Sequence, residues 1–141
     1  MATLLIVDDD TLVRETLREL LSDSHDCHTA DRAEQALAYL EVETYDVVLT
    51  DLSMPRLSGR DLLSHIQTNH PATPVIVISG MVEADDAREI IDAGAFAYFG
   101  KPFNLEEIEA AVERAILRHQ ELVVDTRADQ GTQEEPNQDK E

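Results

Sequence analysis

Polar residues that could carry out chemistry follow four short apolar runs of this chain. They are Asp8 and Asp9 after the first run, Asp51 after the second, Ser79 after the third and Lys101 just beyond the fourth. Carboxylates that lie close together repel one another unless a cation is bound, and Mg²⁺ prefers such oxygen ligands. An activated carboxylate can attack phosphorus, while a lysine and a hydroxyl neutralise and hydrogen-bond the phosphoryl group. The set favours Mg²⁺-dependent phosphoryl chemistry if the fold brings it together.

The apolar runs themselves predict the elements that position these residues. Unbroken aliphatic runs of this length are typical of strands buried on both faces of a parallel sheet. The strands are predicted at residues 4–7, 47–50, 75–78 and 96–99, with a weaker candidate at 26–30. Five segments with helical periodicity alternate with them, and Asn104 is a suitable N-cap for the last. The pattern predicts an α/β fold with a single doubly wound five-stranded parallel sheet.

Parallel strands place their carboxyl ends along one edge of the sheet, where open α/β sheets bind ligands. The residues that follow the apolar runs are therefore expected to converge in one crevice. Residues 120–141 lack this patterning and are rich in polar residues, so we expect an acidic, disordered tail after a folded part at 1–119.

Composition excludes several classes of function. The chain has 141 residues, with 11 Lys and Arg against 30 Asp and Glu, a formal net charge of −19. Such acidity argues against direct binding of nucleic acid or of anionic membranes. A single cysteine, Cys27, leaves no internal disulfide and fits a cytoplasmic location. The expected partners are therefore other proteins.

The polar residues also form recognisable motifs. Asp8 and Asp9 follow Leu-Leu-Ile-Val, Asp51 stands in Leu-Thr-Asp-Leu-Ser-Met-Pro, Ser79-Gly follows Val-Ile-Val-Ile, and Lys101 opens Lys-Pro-Phe. In this order and spacing, the set resembles the receiver domain of two-component response regulators, over residues 1–119. The resemblance implies a flavodoxin-like (βα)5 fold with strand order 2-1-3-4-5. It also implies a phosphoacceptor rather than an enzyme, with at most intrinsic self-phosphorylation and autodephosphorylation.

The resemblance assigns a role to each residue of the acidic set. Asp51 matches the phosphoacceptor, and Asp9 and Asp51 match direct Mg²⁺ ligands. Asp8 matches a carboxylate that acts through water. The backbone carbonyl of Ser53 completes the metal set.

The remaining matches concern the phosphoryl group and the conformational switch. Lys101 matches the lysine that pairs with the phosphoryl group, and the Lys101-Pro102 bond is expected to be cis. Ser79 and Tyr98 match the hydroxyl and aromatic residues that switch position. The implied partners are a histidine kinase or histidine phosphotransfer protein and a downstream protein target, and a phosphorylation-dependent dimer is compatible with the family.

Two other functions fit parts of the sequence. A haloacid-dehalogenase-type phosphatase would use Asp8 as its nucleophile and Asp10 as a second acid, although we expect Asp10 to cap the first helix. A receiver fold that binds partners without being phosphorylated is the other alternative. Among the histidines, His28 belongs to an ordinary edge segment in our interpretation, and His119 is predicted to be a surface residue.

Overall fold

The computed structural model describes residues 2–52, 58–80 and 84–134. Five strands alternate with five helices along the chain. The elements are β1 (Thr3–Val7), α1 (Thr11–Leu21), β2 (Asp26–Ala30), α2 (Ala33–Val42), β3 (Val47–Thr50), α3 (Gly59–Asn69), β4 (Val75–Ser79), α4 (Ala84–Asp92), β5 (Ala97–Gly100) and α5 (Leu105–Glu134). The predicted alternation of strand and helix is confirmed.

All five strands are parallel and follow the order β2-β1-β3-β4-β5, which confirms the predicted topology. Alternate residues of β1 face opposite sides of the sheet: Leu5 packs in one core and Leu4 in the other. Residues of α2, α3 and α4 cover the first face, and residues of α1 and α5 cover the second. Burial on both faces explains why the strand sequences are unbroken aliphatic runs.

Local capping sets where the helices begin and end. The Asp10 side chain accepts hydrogen bonds from the backbone N–H groups of Leu12 and Val13, and Asn104 caps α5 through the amides of Glu106 and Glu107. Each bond satisfies an amide that the first helical turn leaves unpaired. The predicted caps at Asp10 and Asn104 are confirmed.

A left-handed glycine follows α4. Gly94 has a φ of 114°, a conformation that glycine adopts without steric cost. A Cβ atom at this position would also lie 2.7 Å from the Cδ atom of Gln67. Gly94 therefore suits the C-terminal end of α4, and the turn leads the chain into β5.

Helix α5 is longer than the sequence pattern predicts. It continues to Glu134, whereas regular structure was expected to end near Gln120. Half-buried Leu122 extends the apolar face by one more turn. The expectation of disorder from residue 120 thus differs from the structure over 120–134, and residues 135–141 lie outside the described part.

His119 is a second difference. It was predicted to be a surface residue, but it is only 8 % exposed. Its Nδ1 lies 2.7 Å from the carbonyl oxygen of Ala72, and its Nε2 lies 3.4 Å from Asp46 Oδ1. The prediction was wrong because His119 continues the core-facing spacing of Val112 and Ala115 around the helix.

Candidate functional site

Asp8 and Asp51 are held side by side because they continue the hydrogen bonding of adjacent strands. The backbone N–H of Asp51 donates to the carbonyl oxygen of Val7 at 3.0 Å, and that of Asp8 donates to Ala30 at 3.1 Å. Both residues therefore leave the sheet at the carboxyl ends of β3 and β1. This is the crevice that the sequence pattern predicted.

Three carboxylates converge at this edge. Asp8 and Asp51 are only 2 and 5 % exposed, whereas Asp9 is exposed. Each offers one carboxylate oxygen, and these oxygens lie within 4.8 Å of one another. Hard oxygen donors at this spacing, with one side open to solvent, fit Mg²⁺, which keeps several water ligands.

One cation lies against two of these carboxylates. Lys101 Nζ is 3.1 Å from Asp8 Oδ2 and 3.6 Å from Asp51 Oδ2. The backbone N–H of Lys101 donates to the carbonyl oxygen of Ser79 at 2.8 Å. That bond keeps the lysine at the carboxyl end of the sheet, next to the end of β4.

The charges of the site are unevenly balanced. Burial is the largest influence on Asp8 and raises the pKa of its carboxyl group, and the charge of Asp51 acts in the same direction. For Lys101, burial is again the largest single influence and lowers its pKa. The hydrogen bond and charge of Asp8, with those of Asp51, outweigh burial and raise the pKa of Lys101 overall. Three carboxylates and one ammonium leave a formal charge of −2, which a divalent cation would neutralise.

Asp8 has further contacts that fix its orientation. Its Oδ1 accepts a hydrogen bond from the backbone N–H of Asp10 at 2.8 Å, and its carbonyl oxygen accepts one from Arg14 Nη1 at 2.7 Å. Sequence reasoning missed Arg14. The available signal was weak, because only its position on the first helix, six residues after Asp8, places it near the strand end.

Ser79 and Tyr98 occupy the positions expected of them on adjacent strands. Ser79 is fully buried at the end of β4, where it pairs with Gly100. Tyr98 is half-buried and packs against the core cluster on the α2–α4 face. A Cβ atom on Gly80 would meet no atom of the described residues within 4 Å, so these residues leave space beside Ser79.

Two other expectations concern backbone features. The Lys101-Pro102 peptide bond is cis, as the resemblance implied. Ser53, whose carbonyl group was expected to complete the metal ligands, lies outside the described residues.

Gly59 brings the start of α3 against the Asp51 backbone. Its N–H donates to the carbonyl oxygen of Leu52 at 2.9 Å. A Cβ atom at residue 59 would overlap the carbonyl oxygen of Asp51. Only glycine therefore permits this close approach. The sequence analysis did not reveal this contact.

The rest of the described chain contains no comparable cluster of metal ligands. Among residues 2–52, 58–80 and 84–134, only Asp8, Asp9 and Asp51 group their donor atoms in this way. His25, Cys27 and His28 do not form such a group. In the same ranges, no helix is both long and apolar enough to cross a membrane.

Comparison with characterised sequences yields one consistent family. The sequence profile of the response regulator receiver domain matches residues 4–113. The DNA-binding transcriptional regulator NtrC of Salmonella typhimurium is 39 % identical over 117 residues, which cover 82 % of this chain and 25 % of NtrC. The cell cycle response regulator CtrA of Brucella ovis is 30 % identical over 129 residues, 89 % of this chain and 56 % of CtrA. The chain thus spans a quarter to just over half of these relatives.

Solved structures support the same assignment. A response regulator receiver domain protein from Clostridium thermocellum superposes with a TM-score of 0.80 and 33 % identity, over 86 % of this chain and 99 % of that one. Sheet order, the acidic crevice and the profile match over most of the chain all agree. The chain belongs to the response regulator receiver domain family of two-component signal transduction.

Proposed function

We propose that Asp51 is the phosphoacceptor of this receiver domain and that Lys101 stabilises the phosphoryl group. The observation that supports this most directly is the contact of Lys101 Nζ with the buried carboxylates of Asp8 and Asp51, at 3.1 and 3.6 Å. A compact ammonium at this place can pair with charge that develops on a transferred phosphoryl group.

The proposed transfer is an in-line displacement. An oxygen of the Asp51 carboxylate attacks the phosphorus of a phosphohistidine on a histidine kinase or histidine phosphotransfer protein. The new P–O bond forms as the P–N bond breaks, and the imidazole nitrogen leaves with the bonding electron pair. Lys101 orients and neutralises the phosphoryl oxygens, so the protein supplies positioning and charge rather than a turnover cycle.

Mg²⁺ is the proposed cofactor. Asp9 and Asp51 would bind it directly and Asp8 through water, with the Ser53 carbonyl as a further ligand. When bound, the ion would offset the charge of the attacking carboxylate and of the incoming phosphoryl group. The three described carboxylates support this assignment through their spacing and net charge.

Phosphorylation is proposed to shift the domain between two conformations through Ser79 and Tyr98. The phosphoryl group adds a charge of about −1.5 to −2. Ser79 ends β4 beside the open space at Gly80, so its hydroxyl can bond to a phosphoryl oxygen. Tyr98 on the adjacent strand is half-buried and packs against the core cluster, and in this proposal it moves inward with Ser79.

The experiment is phosphorylation with Mg²⁺ and a small-molecule phosphodonor, followed by mass spectrometry to locate the modified residue. Asp51→Asn should abolish labelling, and omission of Mg²⁺ should do the same. Asp10→Asn is the matched control, because Asp10 caps α1 and asparagine caps equally well. Labelling that persists in Asp51→Asn would contradict the assignment, and failure to label the intact protein would favour a phosphorylation-independent binding module.

The phosphatase alternative is not supported. Asp10 would have to act as an acid in the crevice. Its carboxylate instead accepts hydrogen bonds from the backbone N–H groups of Leu12 and Val13 at the start of α1. This contact places Asp10 at the start of α1 rather than in the role that the phosphatase scheme assigns to it.

The wider setting is also a proposal. We expect the receiver to act in the cytoplasm, to receive its phosphoryl group from a histidine kinase or phosphotransfer protein, and to signal to a downstream protein. We propose residues 1–119 as the receiver domain and residues 120–141 as an acidic segment beyond it. A dimer that forms on phosphorylation is compatible with this scheme.

A further inference from the structure

The turn between β1 and α1 carries Asp9, and hydrogen bonds hold the backbone on both sides of this residue. Arg14 Nη1 donates to the carbonyl oxygen of Asp8 at 2.7 Å. The backbone N–H of Asp10 donates to Asp8 Oδ1 at 2.8 Å. The first bond orients the peptide group that precedes Asp9, and the second orients the peptide group that follows it.

These two peptide groups determine the direction in which the Asp9 side chain leaves the backbone. Each peptide group is planar, so only two dihedral angles remain at the residue between them. When both groups are held, the direction of the Cα–Cβ bond of Asp9 is set. Asp9 is exposed, whereas Asp8 and Asp51 are buried. The place of the Asp9 carboxylate in the acidic cluster therefore depends on its backbone more than on surrounding side chains.

The Arg14 side chain is itself held at the start of α1. Arg14 is the fourth residue of this helix and is half-buried. Its Nη2 donates to Thr11 Oγ1 at 3.4 Å while Nη1 bonds to the Asp8 carbonyl oxygen. A planar guanidinium with several donors can make both contacts at once. Helix α1 is thus connected to the peptide group that precedes Asp9.

We propose that Arg14 is a positioning residue for Asp9 and, through Asp9, for the Mg²⁺ site. The inference rests on the proposed function, since it takes Asp9 as a direct ligand of the ion. Arg14 touches neither the ion nor the phosphoryl group in this scheme. It orients the backbone that presents the ligand, and outer partners of this kind contribute about ten- to a hundredfold to metal affinity.

The positive charge of Arg14 allows the positioning role to be separated from a purely electrostatic one. A guanidinium near an acidic crevice repels a divalent cation, so removal of the charge alone would strengthen Mg²⁺ binding. Removal of a hydrogen bond that orients a ligand would weaken it. The two roles therefore predict shifts of opposite sign in the dissociation constant.

Titration of the full chain with Mg²⁺, followed by NMR of the backbone amides, measures this shift. We expect Arg14→Met to raise the dissociation constant by about tenfold or more. Arg14→Lys keeps a donor for the Asp8 carbonyl and should recover part of the affinity. Arg18→Met is the matched control, because Arg18 lies one turn further along α1 and pairs with Glu15 at 3.0 Å. It removes the same charge without disturbing the turn, and the affinity should not fall.

Amide hydrogen exchange without metal tests the turn directly. In Arg14→Met, the Asp10 amide should exchange faster than in the unmodified chain, because the turn that presents it to Asp8 is held less firmly. Circular dichroism would verify that each variant is folded. Unchanged exchange of this amide would contradict the link between Arg14 and the turn.

Labelling of Asp51 by a small-molecule phosphodonor separates positioning from a general structural role. Arg14→Met should need more Mg²⁺ for half-maximal labelling, and excess Mg²⁺ should relieve the loss. A loss that excess Mg²⁺ does not relieve, or an Arg14→Met variant that binds Mg²⁺ as tightly as the unmodified chain, would overturn the positioning role alone. Absence of Mg²⁺ binding by the unmodified chain would overturn the proposed metal site, and the positioning role with it.

Discussion

The two ends of the sheet differ in how their polar side chains are paired. At the carboxyl end, the carboxylates of Asp8 and Asp51 share one ammonium, that of Lys101. At the amino end, Asp46 Oδ2 accepts a hydrogen bond from the Thr3 backbone N–H at 2.7 Å, and its Oδ1 lies 3.4 Å from His119. The first arrangement has excess negative charge, whereas the second pairs each of these groups with a partner.

This difference separates stability from function. Contacts at the amino end connect α5 to the start of the sheet: His25 Nδ1 accepts the Ala2 N–H at 3.2 Å, and its Nε2 lies 3.1 Å from Glu113. Such contacts favour the folded state. The carboxyl end keeps like charges together at a cost in stability, and thereby attracts a cation. Substitutions at the two ends should consequently change stability in opposite directions.

The largest effect is expected for Asp46→Ala. It removes the acceptor of the Thr3 amide and the partner of His119, which leaves partly buried groups unpaired. We expect the free energy of unfolding to fall by about 3 kcal/mol. Urea denaturation measures the change.

Asp46→Asn provides the control for that substitution, because its side-chain oxygen can still accept the Thr3 N–H. Its loss of stability should be clearly smaller. Equal losses in the two variants would show that the charge of Asp46, rather than its hydrogen bond, stabilises the amino end.

A high-pH experiment tests the same end through Tyr45. Burial is the main influence and, with the charge of Glu43, raises the pKa of Tyr45 from 10.0 to about 12. The unfolded chain therefore ionises first. Stability is intact below pH 10 and falls between pH 10 and 12, by about 2 kcal/mol for this group.

Tyr45→Phe should remove that part of the pH dependence, although it also removes the hydroxyl that lies 2.7 Å from His28 Nδ1. Tyr39→Phe is the matched control, since Tyr39 is partly exposed. Chemical denaturation at several pH values gives the comparison. An unchanged slope between pH 10 and 12 in Tyr45→Phe would contradict the prediction.

At the carboxyl end, Asp51→Asn should change the free energy of unfolding in the opposite direction and raise it. In the presence of a chelator it removes one of two buried like charges while Lys101 keeps its contact with Asp8. We expect a gain of about 1 kcal/mol in unfolding free energy. Mg²⁺ should stabilise the unmodified protein and have little effect on the variant, as thermal denaturation with and without the ion would show. A loss of stability on substitution would mean that the Lys101 contact outweighs the repulsion.

The smallest effect concerns reactivity rather than stability. Burial, with the charge of Asp26, raises the pKa of the Cys27 thiol to about 11. At neutral pH very little thiolate is present, so alkylation of the folded protein should be slow and should accelerate as the pH rises toward 11. Time courses with a thiol reagent, compared with the urea-unfolded chain, measure this. Equal rates in the folded and unfolded chains would contradict it.

The sequence predicted most of the fold because its central strands are buried on both faces. Runs such as Val75–Ser79 have few alternatives to a strand in a parallel sheet. The edge strand β2 was harder to identify, since Asp26 and His28 expose part of it and interrupt the apolar pattern. A strand that is buried on both faces can be recognised from its unbroken apolar sequence, whereas a partly exposed edge strand cannot.

The candidate site was predicted at the level of residues but not of contacts. The sequence predicted strand ends at Asp8, Asp51 and Lys101. Because parallel strands place their carboxyl ends along one edge of the sheet, these residues were expected to lie together. The approach of Gly59 to Asp51 and the contact of Arg14 with Asp8 depend on how helices meet the sheet, which no local pattern specifies. His119 could have been placed in the core, since it lies four positions after Ala115 along the buried face of α5.

The open space at Gly80 makes this position a natural place for a spectroscopic reporter. Among the residues that the structure describes, none has a heavy atom within 4 Å of a Cβ at this position, which stands one residue beyond Ser79. The chain's single natural thiol, on Cys27, is protected by its high pKa. Gly80→Cys would therefore accept a fluorophore or a fluorinated tag selectively at neutral pH. Such a label could follow events at the acidic crevice in real time without any change to the native cysteine.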